Sequence, residues 1–237
     1  MEFAYNLNGG TGPFIKKYQA GVTMATAGVP VTANPDTTGG LALATTTAAV
    51  LCVGVTLDTN TLVTAQQSDN SDPERLVSVI INPFAVYRAK LSGGATENTA
   101  LGTLTETLGS ATGLLVTFAT ASNAMDNGSI WGYSGANPGI GRKNITGTTT
   151  TAVPHVAFPQ DIAIGDTFIQ LPFWYCSDHY VQLTTALSQV DASVDTDTDN
   201  ANFRVVELDV RDASDSGTTN SFVYLVVADH MFNGYAA

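Results

Sequence analysis

Turn residues set the first limit on what this chain can fold into. The apolar stretches AGVTMA, VPVTA, LALATT, AAVLCVGVTL and TLVTAQQ are separated by breakers such as NPDTTGG and LDTN. None is long enough to sustain a helical repeat. Each is built from small and β-branched residues, and such runs between clusters of Gly, Pro, Asn and Asp read as short strands. The expectation is an all-β chain.

RLVSVIINPFAVYRAKL, residues 75–91, sharpens that expectation. Pro83 cannot donate a ladder hydrogen bond, so it marks an edge, a bulge or a bend. Beyond it, side chains alternate across the strand. Ala85, Tyr87, Ala89 and Leu91 fall on one face, and Phe84, Val86, Arg88 and Lys90 on the other. Two of the nine positive charges therefore share one short strand face, just before Gly93-Gly94.

Further along, TALGTL and GLLVTFATA read as two more strands. The stretch from Met125 to Thr151 holds many turn dipeptides and no sustained period, so it reads as a connection. Beyond it, VPHVAF, DTFIQLPFWY and DHYVQLTTAL carry an aromatic core, and NFRVVELDVR and SFVYLVVADHMF are the clearest strands. In the first of these two, Val205, Glu207, Asp209 and Arg211 face one way. Phe203, Val206, Leu208 and Val210 face the core, with a bulge bringing Phe203 into register. Leu183, Leu187 and Val190 recur at helical spacing, which suits one or two helical turns. At the other end, Tyr5, Phe14, Ile15 and Tyr18 are spread among Gly, Asn and Pro without a period. The expected division is an extended arm over 1–20, a small β-barrel domain over 21–124, a connection over 125–151 and a second, β-sandwich-like domain over 152–237.

Composition excludes some functions. Nine Lys and Arg against 21 Asp and Glu give a net charge of −12. Such a chain repels nucleic-acid phosphates and anionic lipid, so neither nucleic acid nor membrane is an expected partner. The longest apolar run, AAVLCVGV, falls short of the roughly 20 residues a spanning helix needs. The start, MEFAYNLNGG, has neither the basic nor the apolar region of a secretory leader, which points to synthesis in a cytoplasm. Cys52 and Cys176 both sit in apolar runs and read as buried thiols.

Motifs for chemistry fail on spacing. SGGATENTALG has no Lys after its glycines, and GIGRKN has Asn144 where a dinucleotide loop needs its third Gly. GYSGA places Ser134 in a loop and out of the nucleophile-elbow pattern. Cys176 and His179 form one ligand pair, and a zinc site needs two. Asp195, Asp197 and Asp199 match the first ligand positions of a calcium loop, but Asn200 replaces its Gly, and Glu207 comes one step late. A solvated hairpin tip accounts for them without a metal. No pair of carboxylates is singled out for glycosidase work. The expectation is a protein without catalysis or cofactor.

The first half does carry a likeness. KKYQAGVTMATAGVPVTA, AVLCVGVTLDT, TLVTAQQ and VSVIINPFAVYRAKLSGGAT resemble the head decoration, or capsid cement, proteins of tailed bacteriophages. The second half, with VQLTTALSQVDAS, FRVVELDVRD and FVYLVVADHMF, looks like an extra β domain of larger phage structural proteins. The resemblance covers about half the chain. It implies a virion protein on the capsid exterior, a major capsid protein as partner and a homotrimer on the shell. It points to Phe14, Lys16, Lys17 and Tyr18 on the arm, with Arg88 and Lys90, as interface residues. Other readings are a tail or minor capsid protein, a β-fold hydrolase, or a carbohydrate-binding module stacking sugars on Trp131 and on Phe173, Trp174 and Tyr175.

Overall fold

The computed structural model describes residues 1–33, 41–43, 52–60, 76–93, 96–101, 115–121, 125–174, 180–184, 189–191, 203–209 and 222–228. Strands account for the regular structure, and none of these residues is helical. In chain order the strands are β1 (Glu2–Asn6), β2 (Ile15–Gln19), β3 (Pro30–Ala33), β4 (Leu41–Leu43), β5 (Cys52–Thr56) and β6 (Leu76–Ile80). Then come β7 (Ala85–Gly93), β8 (Thr96–Thr99), β9 (Val116–Thr117), β10 (Ser129–Ser134), β11 (Gly141–Gly147) and β12 (Thr151–Pro154). Last are β13 (Thr167–Leu171), β14 (Tyr180–Leu183), β15 (Gln189–Asp191), β16 (Phe203–Asp209) and β17 (Phe222–Val227).

They form three sheets: the third closes into a ring of five strands, and the ends of the other two meet at single bridges. The first runs β2-β6-β5-β3-β4. Its ends meet at the Ala20–Leu41 bridge, where the Gly21 N–H donates to the Leu41 carbonyl at 2.8 Å. The second runs β8-β13-β10-β11-β12-β9. Its ends meet at Ala100–Phe118, flanked by hydrogen bonds from Leu101 N to Thr117 O and from Ala119 N to Thr99 O. In the third, β7 pairs with β15 on one edge and β17 on the other, and β14 and β16 complete the ring. Beside the first half of β7, on the edge that β15 takes farther on, lies β1. Closure of the third sheet removes its exposed edges, which suits short strands with little charge to guard them.

Two small cores fill the first and second sheets. Ala20, Met24, Val31, Leu41, Val53, Val77 and Val79 pack inside the first. Phe168 in the second is met edge-on by Phe118 and Phe158, at ring distances of 6.0 and 5.4 Å. The largest core joins all three sheets. It takes Cys52, Val55 and Ile80 from the first, Ile169 and Leu171 with the adjoining Phe173 from the second, and the inward residues of the third. Ala85, Tyr87, Ala89 and Leu91 all lie in it, as the alternation over 85–91 predicts. Burial holds the Cys52 thiol neutral, with its pKa pushed up to about 12.

The sheets do not follow the division expected from sequence. The arm over 1–20 supplies β1 and β2, each paired along its length to a different sheet. The stretch 125–151, expected as a connection, contains β10 and β11 near the middle of the second sheet. The third sheet draws β1 and β7 from the first half and β14 to β17 from the second. In β16 the bulge falls between Val205 and Glu207, so Val205 turns into the core beside Phe203 and Leu208 instead of facing out, and Val206 is half-buried. Of the stretch 183–190 expected to hold helical turns, Leu183 lies in β14 and Gln189 and Val190 in β15. Thr184 N–H donates to Gln189 O across their connection, whose residues 185–188 lie outside the described set.

Tyr87 sits where the first and third sheets meet. It is fully buried and its hydroxyl donates to Ile80 O at 3.5 Å. Tyr87→Ala should lower the unfolding free energy by about 3–5 kcal/mol, the range for deleting a buried ring. Tyr87→Phe keeps the ring and loses only a long hydrogen bond, at about 1 kcal/mol or less. Urea denaturation of both variants checks this.

Candidate interaction surface

Asn6 ends β1 and organises the loop that follows. Its side chain is buried, and its Nδ2 donates to the carbonyls of Gly10 at 3.1 Å and Gly12 at 2.7 Å. Asn82 Nδ2 donates to Asn6 Oδ1 at 3.0 Å, and Phe84 N–H donates to Asn82 Oδ1 at 3.0 Å. Gly9, at φ 74°, donates its N–H to Asn6 O and closes a turn that a residue with a side chain would strain. Two buried amides thus tie the loop 7–14 to the turn around Pro83.

The clamp displays apolar side chains to solvent. Leu7 N–H bonds to Phe84 O at 2.9 Å, and Ile81 N–H bonds to Phe14 O at 3.0 Å. Leu7 is 46% exposed, Phe14 69%, Ile15 54% and Phe84 50%. Large apolar side chains exposed together mark interaction sites far more than scattered single ones. Lys16 and Lys17 continue the strip along β2 and are both exposed. Lys16 Nζ lies 5.0 Å from the centre of the Tyr18 ring, and Tyr18 is half-buried against the core of the first sheet. Along β2, Lys16 and Tyr18 share one face, and Ile15 and Lys17 share the other.

Arg88 and Lys90 lie on β7 in another sheet, both half-buried. The Arg88 guanidinium sits 3.4 Å above the Phe222 ring. Across the strands, Arg88 pairs in register with Glu2 on one side and Tyr224 on the other, and Tyr224 in turn pairs with Glu207. These residues line a groove of about 380 Å³ with Phe3, Ala4 and Tyr5. Burial first, then Glu207 and Tyr224, raises the Tyr5 hydroxyl pKa. Phe222 and the neighbouring carboxylates give Arg88 an intramolecular setting, whereas the lysines on β2 point to solvent.

The remaining sequence candidates fall elsewhere. Ser134 ends β10, and its hydroxyl shares a 2.5 Å hydrogen bond with Thr167 Oγ1. Cys176 and His179, and Asp195, Asp197 and Asp199, lie outside the described residues. Among the described residues no group of three metal-ligating side chains gathers. Sequence reasoning missed Leu7, Phe84 and the Asn6–Asn82 clamp. The only local signals were turn dipeptides, Asn8-Gly9 and Asn82-Pro83.

No family model, curated protein or solved structure matches the chain.

Asn6→Ala removes three hydrogen bonds and strands a buried Asn82 amide. It should cost about 1–3 kcal/mol, the penalty for leaving buried polar groups unpaired. Thermal denaturation measures that cost, and limited proteolysis should find its first new cleavages within residues 7–14.

Proposed function

We propose that this chain is a structural virion protein that binds the outer surface of a phage capsid and stabilises it, with the major capsid protein as partner. The observation that carries the reading is the strip of Leu7, Phe14, Ile15 and Phe84 flanked by Lys16 and Lys17. The strip pairs apolar anchors with positive charge on a chain of net charge −12. An acidic, partly apolar face of a neighbouring protein complements it. The resemblance of the first half to decoration proteins supplies the capsid. The three sheets share one buried core, and a preorganised body loses little freedom on docking.

In this reading copies assemble as trimers on the shell, at symmetric points that repeat the same contact. Each contact can be weak, because several engaged at once add by avidity. The role calls for no catalysis, cofactor, nucleic acid or membrane.

The test is co-sedimentation of the purified chain with emptied heads of the phage that encodes it. Truncating residues 1–20 is unsuitable, since it removes β1 and β2 from two sheets. Phe14→Ser with Ile15→Ser changes exposed side chains only, so stability should move by about 0.5 kcal/mol or less. Head binding should fall at least about tenfold, as expected when two interface anchors go. Lys16→Glu with Lys17→Glu should weaken binding most at low salt. Saturable binding unchanged by both pairs would place the contact elsewhere on the molecule. No binding by the parent chain would favour a tail component.

A further inference from the structure

Loop 7–14 carries a residue pair with chemistry of its own, Asn8-Gly9. An asparagine side-chain amide is an electrophile, and the backbone nitrogen that follows it can close a five-membered ring on its carbonyl carbon. A side chain on the following residue crowds that approach, and glycine has none. The chain holds three such pairs, beginning at Asn8, Asn127 and Asn233. The last lies outside the described residues.

The fold treats the other two differently. Asn8, Gly9 and Gly10 are all exposed, and a Cβ built on Gly9 would meet nothing within 4 Å. The Gly10 N–H donates to Asn8 Oδ1 at 3.2 Å. That bond closes a turn of side chain and backbone around Gly9, and it polarises the amide carbonyl in the sense that attack requires. The Gly9 N–H donates to Asn6 O at 3.1 Å, near the long end of the usual range, and water can replace that bond at an exposed turn. Around Asn127 the setting is the reverse. Gly128 is buried, and its N–H donates to Met125 O at 2.9 Å. A Cβ on it would run into the Leu171 carbonyl oxygen, so the chain there cannot rearrange into a ring without displacing β13.

We propose that Asn8 is a site of self-modification that undoes the loop carrying the interaction strip. The Gly9 nitrogen gives its proton to solvent base and bonds to Asn8 Cγ. The Cγ–Nδ2 bond breaks, and the amide nitrogen takes up a proton and leaves as ammonia. Water then opens the ring. Addition at Cγ leaves aspartate, and addition at the main-chain carbonyl leaves isoaspartate, in which the backbone runs through the former side chain. Water is the only co-reactant, and nothing is oxidised or reduced. Isoaspartate adds one carbon to the backbone ahead of Gly9, and both products replace a neutral amide with a carboxylate. The turn from Gly9 N to Asn6 O no longer fits the longer chain, and the Gly10 and Gly12 carbonyls move off Asn6 Nδ2. Leu7 and Phe14 stand at the two ends of this loop, so the strip loses its geometry. The site does not rest on the capsid reading. On that reading, the change withdraws aged chains from the contact.

The intact protein is incubated in mildly alkaline, ammonium-free buffer at physiological temperature, beside a synthetic peptide of residues 5–14. Peptide mapping by mass spectrometry, with isoaspartate-specific enzymatic methylation, follows each site. Asn8 should convert within about tenfold of the peptide's rate and mainly to isoaspartate, and Asn127 in the same sample should be slower than Asn8 by about tenfold or more, a barrier difference of about 1.4 kcal/mol. The aged chain should be cleaved within residues 7–14 sooner than fresh protein under limited proteolysis. Asn8→Ser keeps an acceptor for the Gly10 N–H and has no amide to lose, so it should age without that change in cleavage. An Asn8 that stays intact after the peptide has converted overturns the proposal. So does Asn127 converting as fast as Asn8, or equal cleavage of aged and fresh protein.

Discussion

The inward face of β7 holds the molecule together. Ala85, Tyr87, Ala89 and Leu91 belong to one buried cluster that takes residues from all three sheets, and Tyr87 reaches the Ile80 carbonyl across the boundary between two of them. Small and large residues alternate along that face, and all four are buried. The β7 backbone is engaged on both edges as well. It pairs with β1, β15 and β17, which come from both ends of the chain. Gly54 on β5 shows how tight the same region is. A Cβ there would run into the Ile80 carbonyl oxygen.

The interaction strip follows from this arrangement. The chain leaves β1 in the third sheet and enters β2 in the first, and loop 7–14 makes that crossing. The Pro83 turn makes a parallel crossing, from β6 to β7. The two crossings lie side by side, and the Asn6–Asn82 pair joins them. Their apolar residues have no third layer to pack under, so they face solvent. In the proposed contact, buried amides that fix this crossing would lower the entropic cost of presenting Phe14 and Ile15.

Much of the all-β character was legible because it is local. Turn clusters and β-branched runs need no long-range information, and the alternation over 85–91 mapped directly onto the core. The stretch 125–151 was illegible for a physical reason. Its strands bury polar side chains whose bonds reach beyond the strand: Ser129 Oγ donates to Phe173 O, and Asn144 Nδ2 donates to Met125 O, while Asn144 Oδ1 has no partner among the described residues. A strand stabilised that way shows no apolar alternation. The first 20 residues misled in the same manner, since β1 pairs with residues 85–88 and Asn6 bonds to a residue 76 positions away. In the candidate surface, Phe14 and the lysines of β2 were readable as sequence. Leu7 and the Asn6–Asn82 clamp emerged only from pairing.

The claim that one shared core unites three sheets is tested most directly by native-state hydrogen exchange across a series of denaturant concentrations. Amides of 52–56, 76–80, 85–91 and 222–227 should exchange through a single opening whose free energy equals that of global unfolding. If 52–56 and 76–80 open at markedly lower free energy than 85–91, the first sheet is a separate unit and the shared core does not hold the fold together.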